Sequence, residues 1–221
     1  MLPNMNESAK IANIHYIYQQ RPNKERANKM AKRKLGRLGY ELDEANTDKD
    51  VLTAKRGNNV HINYTGTNVN SPRDIISDVA LATGVQRINP QFTNRRRTTR
   101  QIMRQYGDDD KDYSLGGHSL GGSIAMNTLK QSKSIRDRVK VSHVFNPGYT
   151  KAFHESIKPT DKKIKKELDK KVNIHRVKGD IVSAWSHNET AFGNLFEHKH
   201  KDKDADLFDK HSLDTFIDSD L

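Results

Sequence analysis

Two spacings of apolar residues run along the chain, and they divide it into helices and strands. In residues 8–20, SAKIANIHYIYQQ, the positions Ile11, Ile14, Tyr16, Ile17 and Tyr18 give a first helix with a buried side, and Pro22 breaks it. From Asn23 to Leu38, Ala27, Met30, Ala31, Leu35 and Leu38 recur at helical spacing and predict an amphipathic helix docked on the domain, with Gly39 at its C-terminal cap. The segments 51–55 and 60–65 flank Gly57-Asn58-Asn59, and Val60, Ile62 and Tyr64 alternate with polar residues, which predicts a hairpin. Ser71-Pro72-Arg73-Asp74 reads as a helix start, with Ile75, Ile76, Val79 and Leu81 as its buried face and Gly84 as its end. Phe92, Ile102, Met103 and Tyr106 lie on one side of a helix between Gln91 and Tyr106. A short strand at 113–116 leads to a helix over 123–129, where Ile124, Ala125 and Leu129 form a narrow apolar stripe. Further on come a strand at 139–145, a basic helical insert carrying Lys162 to Lys171, a strand at 172–177 and a last helix opened by His211. Strands alternating with helices predict an α/β fold, a mainly parallel central sheet with helices on both faces. Residues 1–221 read as a single domain with N-terminal basic helices over 8–38, without internal repeats.

Composition narrows the chemistry. The chain has 221 residues, 33% of them hydrophobic, which suffices for one α/β core and not for two. The mean hydropathy of −0.92 assigns much of the chain to solvated helix faces and loops. With no cysteine, a disulfide framework, a thiolate metal site and a thiol nucleophile are excluded. The first residues lack the basic-then-apolar layout of a signal peptide, and no apolar run has the length of a membrane span. The expectation is therefore a soluble, cytoplasmic protein. A formal net charge of +11 attracts anionic partners, either a membrane surface or an acidic protein. Acids are interspersed among the bases, and no nucleic-acid or nucleotide motif appears, so nucleic acid is the less favoured partner. Arg95-Arg96-Arg97, with Arg100 and Arg104, is the sharpest positive cluster and the candidate for docking an anionic surface.

The reactive chemistry is concentrated at Tyr113–Leu129, YSLGGHSLGGSIAMNTL. Gly117-His118-Ser119-Leu120-Gly121 fits G-x-S-x-G, a nucleophile on a sharp strand-to-helix turn, where glycines let the helix approach its own strand. The helix N-terminus then directs free N–H groups at charge forming beside Ser119. Asp180 lies just past the strand at 172–177, and His211 follows later, giving the order nucleophile, acid, base. In this reading Ser119 attacks an acyl carbon, His211 carries the proton, and Asp180 fixes the tautomer and stabilises the imidazolium. The backbone N–H groups of Leu120 and Thr67 form the oxyanion hole, each donor contributing about 3–4 kcal/mol. Competing groups have blander roles. His143 and His175 lie in strands as structural residues, Asp214 and Asp218 sit on the solvent side of the last helix, and His118 packs or orients. His187, His198 and His200 fall in an irregular stretch after Asp180. His198-Lys199-His200 has no third ligand, so neither a metal nor any other cofactor is expected.

Several of these pieces together are similar to the class 3 lipases, a family of α/β-hydrolases. They are Tyr64-Thr65-Gly66-Thr67, which resembles the family's oxyanion segment, Gly117 to Gly122, Phe145-Asn146-Pro147-Gly148, Gly179-Asp180 with Ile181 and Val182, and the final His211. They occur in the family's order over residues 8–217. The resemblance implies a metal-free lipase- or esterase-like enzyme acting on esters or acylglycerols. Where the family carries an apolar lid, this chain has its Arg-rich helix, which favours an esterase, or a phospholipase drawn to anionic headgroups, over activity on neutral fat. The short chain also resembles lipase-like proteins of large DNA viruses, which implies a place in a virion. A different class of function stays open: a catalytically silent hydrolase fold used as a basic binding or structural component.

Overall fold

The structure is a computed structural model that describes residues 1–66, 90–107, 110–180, 190–202, 204–206 and 209–217. The helix expected over 71–84 lies outside these residues. Seven strands form one sheet in chain order: β1 (Glu41–Leu42), β2 (Val51–Arg56), β3 (Asn59–Tyr64), β4 (Asp112–His118), β5 (Val139–Phe145), β6 (Val172–Val177) and β7 (Asn194–His198). β1–β2 and β2–β3 pair antiparallel, and every pair from β3 to β7 is parallel. Gly57, at φ 58°, makes the predicted β2–β3 hairpin turn. β7 corrects the reading of residues 194–198 as irregular. Only Leu195 of its apolar residues packs into the main core, so the strand has no clean alternation to announce it.

Strands added in one direction with right-handed crossovers place all their connecting helices on one face. That face carries α3 (Pro90–Gln105), α4 (Leu120–Gln131), α5 (Lys133–Arg138), α6 (Lys151–Ile157) and α7 (Lys162–Lys171). Their apolar residues join Val60, Ile62, Tyr113, Leu115, Val144 and Ile174 in the main core. The opposite face falls to the N-terminal helices α1 (Met5–Gln19) and α2 (Lys24–Arg37). Helices thus lie on both faces, as alternation predicts, but the second face is covered by the chain's first segment. The architecture is that of an α/β-hydrolase: a mostly parallel sheet whose central strand β4 turns directly into a buried helix.

Local chemistry sets the helix ends. Asn4 accepts from the Glu7 N–H at 2.9 Å while Glu7 accepts from the Asn4 N–H at 3.1 Å, a capping box that starts α1 at Met5, ahead of its apolar pattern. Asn23 caps α2 through the Arg26 N–H, and Gly39, at φ 75°, follows it. α6 was not marked by periodicity; Thr150 caps it, and it contributes only Phe153 and Ile157 to the core. α4 departs from the expected narrow stripe, because every residue from Leu120 to Leu129 is buried between the sheet and the other crossover helices. Among its described residues the final segment forms two 3-10 turns, Asp209–His211 and Asp214–Phe216, in place of the expected α-helix.

The arginine cluster of α3 is not uniformly solvated. Arg95 is 5% exposed and bonds the Asp50 carboxylate at 2.7 Å, while Arg96 reaches Asn127 and Arg100 reaches Ser132. Only Arg97 and Arg104 face water fully. Three of the five guanidiniums therefore tie α3 to the fold.

Candidate active site

β4 ends at His118 and α4 begins at Leu120, which leaves Ser119 alone to turn the chain. It does so at φ 55° and ψ −126°, a left-handed conformation costing a non-glycine residue about 1–3 kcal/mol. Three backbone hydrogen bonds hold it there. The Ser119 N–H donates to Phe145 O at 3.0 Å, and its C=O accepts from the N–H groups of Ser123 and Gly148, each at 3.2 Å. The strand and helix can meet so closely only without side chains between them. A Cβ on Gly117 would lie 2.5 Å from the backbone C and O of Gly121, and one on Gly121 would fall on the Tyr64 carbonyl. Ser119, although at the N-cap of α4, makes no capping hydrogen bond with its side chain. Its hydroxyl is therefore not committed to the helix, and the Leu120 N–H opens the helix beside it.

β6 ends at Val177, and the turn through Gly179 (φ 85°) brings Asp180 back to donate its N–H to Val177 O at 3.0 Å. Asp180 is 1% exposed and accepts from His211 Nδ1 at 2.8 Å, with His211 itself 4% exposed. A carboxylate can only accept, so Nδ1 carries a proton and Nε2 is the nitrogen left for proton transfer. Nε2 is buried and has no hydrogen-bond partner among the described residues. The His211 ring stands 4.7 Å, centroid to centroid, from the ring of His118, the neighbour of Ser119 in sequence. Ser119, Asp180 and His211 thus occupy the same end of the sheet, at the carboxyl ends of β4 and β6.

Thr67, Ile181, Val182, Trp185, His187 and Asp218 lie outside the described residues. Thr65 and Gly66 lead up to the first of them: Thr65 Oγ1 donates to Lys49 O at 2.9 Å, and a Cβ on Gly66 would come within 3.4 Å of Ser119 Cβ. The strand end that precedes Thr67 therefore abuts the serine. Asp214 is exposed and bonded by Ser212, away from the buried cluster.

Two residues at this end of the sheet carry no site role in the sequence reading. Asn146, at φ 39°, accepts from the Val177 N–H at 2.8 Å and donates to the carbonyls of Lys210 (3.0 Å) and His211 (3.2 Å). It joins the end of β6 to the turn that carries the imidazole. Tyr16 of α1 lies within 3.1 Å of His118 Nδ1. Helical spacing marks Tyr16 only as a buried-face residue, and Asn146 stands out only as part of the strand-end resemblance.

The sheet face under α1 is lined with imidazoles. His143 and His175 are indeed internal, 3.0 Å apart between Nδ1 and Nε2, and His175 bonds His198 at 3.2 Å. Desolvation keeps these rings neutral: burial pulls His15, His61, His118 and His175 down to about 3 and His143 to about 4. Among the described residues no group of three or more His, Asp or Glu side chains is arranged to hold a metal ion.

No family model matches the chain, and no curated protein matches it. Among solved structures it is similar to a lipase from Rhizopus microsporus var. chinensis, at 14% identity and a TM-score of 0.46 over 83% of this chain and 68% of that one. It is likewise similar to Rhizomucor miehei lipase in its propeptide complex (14% identity, TM-score 0.47, 85% and 62% covered) and to lipase II from Rhizopus niveus (11%, 0.43, 80% and 73%). The sheet order and the strand-to-helix turn at Ser119 define the fold independently of these likenesses.

Proposed function

We propose that the protein is a serine hydrolase of carboxylic esters, with lipid acyl esters as its substrate class. The observation that carries this reading is the buried His211, with Nδ1–H on Asp180 at 2.8 Å and a partnerless Nε2, its ring 4.7 Å from that of His118, which precedes in sequence a serine held at φ 55°. In the reaction Ser119 Oγ bonds to the acyl carbon as its proton passes to His211 Nε2. The Asp180 carboxylate stabilises the imidazolium and keeps it in register. The tetrahedral oxyanion accepts from the Leu120 N–H and, in this proposal, from the Thr67 N–H. Collapse expels the alkoxide, which takes the proton from Nε2 and leaves as the alcohol. Water then repeats the sequence on the acyl-enzyme and regenerates the serine.

A fluorophosphonate probe and a panel of esters of increasing acyl length test the proposal. Wild type labels and turns over, Ser119→Ala does neither, and His211→Ala loses at least about 1,000-fold in kcat. Absence of wild-type labelling, or labelling that persists in Ser119→Ala, refutes it.

The partner in this proposal is an anionic membrane surface. Arg26, Lys29, Arg33 and Arg37 form one exposed stripe along α2, and among the described residues none has a carboxylate partner, although Lys32 on the same helix pairs with Glu44. Among the described residues no helix is long and apolar enough to cross a membrane, so attachment through α2 would be electrostatic. Vesicles containing phosphatidylserine should bind wild type at low salt and release it as salt is raised. Binding that survives in Arg26→Glu/Arg33→Glu excludes this stripe.

A further inference from the structure

Tyr16 belongs to a helix that supplies none of the proposed chemistry, yet its hydroxyl bridges two segments of the site, and the second of these reaches a third. The Gly66 N–H donates to Tyr16 Oη at 3.3 Å, Tyr16 Oη lies 3.1 Å from His118 Nδ1, and His118 Nε2 lies 2.6 Å from His211 O. The polarity of this chain is fixed by its ends. A carbonyl only accepts, so His118 carries its proton on Nε2; burial keeps the ring neutral, and Nδ1 is left as an acceptor. Tyr16 must then donate to Nδ1, and its oxygen accepts from Gly66. Each hydrogen bond strengthens the next along such a one-way series.

This series ties the strand end before Thr67 to the backbone of His211 through the residue adjoining Ser119. Both His118 ring nitrogens are engaged, so His118 has no free lone pair with which to serve as the base itself. The fit around Tyr16 is close: a Cβ on Gly66 would lie 2.5 Å from its hydroxyl and 3.2 Å from His118 O. The His211 carbonyl accepts from Asn146 as well, so the imidazole is held through its backbone from β4 and β5 and through its ring by Asp180.

Resting on the hydrolase reading, we infer that Tyr16 and His118 are positioning residues, a strut that sets the distance from the His211 imidazole and the oxyanion strand end to Ser119. The α1 helix is by this account part of the active-site frame and not merely a cover for one sheet face. Loss of the strut loosens two catalytic groups at once. The loss should therefore fall on kcat, not on KM for a small ester that does not touch α1.

Tyr16→Phe, His118→Leu and His118→Gln test it, each with its melting temperature recorded. On a short soluble p-nitrophenyl ester, Tyr16→Phe should lower kcat about tenfold and His118→Leu about 100-fold, with KM within about twofold. His118→Gln places an amide N–H near the former Nε2 and should recover most of the loss. Tyr16→Phe/His118→Leu should be no slower than His118→Leu alone, because the two act in series. The low-field Nδ1–H proton resonance of His211 should shift or broaden in His118→Leu and return in His118→Gln. A fall in rate that only tracks the folded fraction, or a glutamine no better than leucine, overturns the strut. So does a His211 resonance unmoved in His118→Leu, a measurement that needs no turnover. A wild type that neither labels nor hydrolyses overturns the hydrolase reading, and the resonance still decides whether Tyr16 and His118 hold His211.

Discussion

Replacing Gly117 by alanine puts a methyl group where β4 and α4 touch backbone to backbone. The new Cβ would stand 2.5 Å from the Gly121 carbonyl carbon and oxygen and 2.8 Å from Gly122 N, all main-chain atoms with no rotamer to change. Ordinary contact requires an opening of about 1 Å. The strand cannot supply it, because Gly117 is paired with Tyr64 on one side and Val144 on the other. The first turn of α4 must move instead, and it carries Ser119 and the Leu120 N–H. Overpacking of this kind costs about 1–3 kcal/mol, which for a chain of this length lowers Tm by roughly 2–12 °C. A shift of about 1 Å at the reacting groups costs about 100-fold in kcat/KM. Gly36→Ala is the matched control: its Cβ meets nothing within 4 Å on an exposed helical turn, so it should raise stability by about 0.5–1 kcal/mol and leave the rate unchanged. Differential scanning fluorimetry and ester kinetics on both variants suffice. Gly117→Ala with wild-type Tm and rate would refute the claim that bare backbone contact builds the elbow.

Ser119→Gly should be more stable than Ser119→Ala by about 1 kcal/mol or more, and melt higher, since only glycine adopts φ 55° freely; equal melting temperatures would mean that the turn stores no strain. Acid should unfold the protein early. His15, His61, His118, His143 and His175 are neutral in the fold, with pKa values lowered to about 3–4, and take up protons once unfolded near 6.5. Their stabilisation is complete above pH 6.5 and is lost as pH falls towards 4, at up to about 7 kcal/mol per pH unit for five groups, so a stability of about 5–15 kcal/mol is exhausted within a few pH units. Urea titrations between pH 7 and 5 read that slope, and His61→Asn should reduce it by about 1.4 kcal/mol per pH unit. Asp50→Ala leaves the Arg95 guanidinium buried without its carboxylate and should cost about 2 kcal/mol, whereas Arg95→Met should cost less than half of that. The reverse order in chemical denaturation would show that the pair itself stabilises the fold.

Chain-local signals specified a good deal. Strand β6 at Val172–Val177, the Gly57 turn, both N-terminal helices and the glycine pattern around Ser119 follow from neighbours within a few residues, and periodicity and backbone sterics act over that range. The capping box at Asn4 and Glu7 was equally local, and it shows that a helix starts where its caps allow rather than where its apolar stripe begins. Other features depend on partners that no window of sequence contains. Arg95 reads as a solvated charge until Asp50, 45 residues away, arrives beside it. α4 becomes buried all round only when the one-directional strand order stacks the crossover helices on its side of the sheet. The strand β7 exists because β6 offers it an edge. The same holds at the site: sequence supplied Ser119, Asp180 and His211 as residue types in a suggestive order. That the Asp180 carboxylate and the His211 ring meet at 2.8 Å, and that Asn146 and His118 grip the same carbonyl, is decided by loop ends from β4, β5 and β6 converging in space. Short-range sterics and periodicity are encoded along the chain, whereas hydrogen bonds between residues 65 to 93 positions apart exist only once the sheet has brought their backbones together.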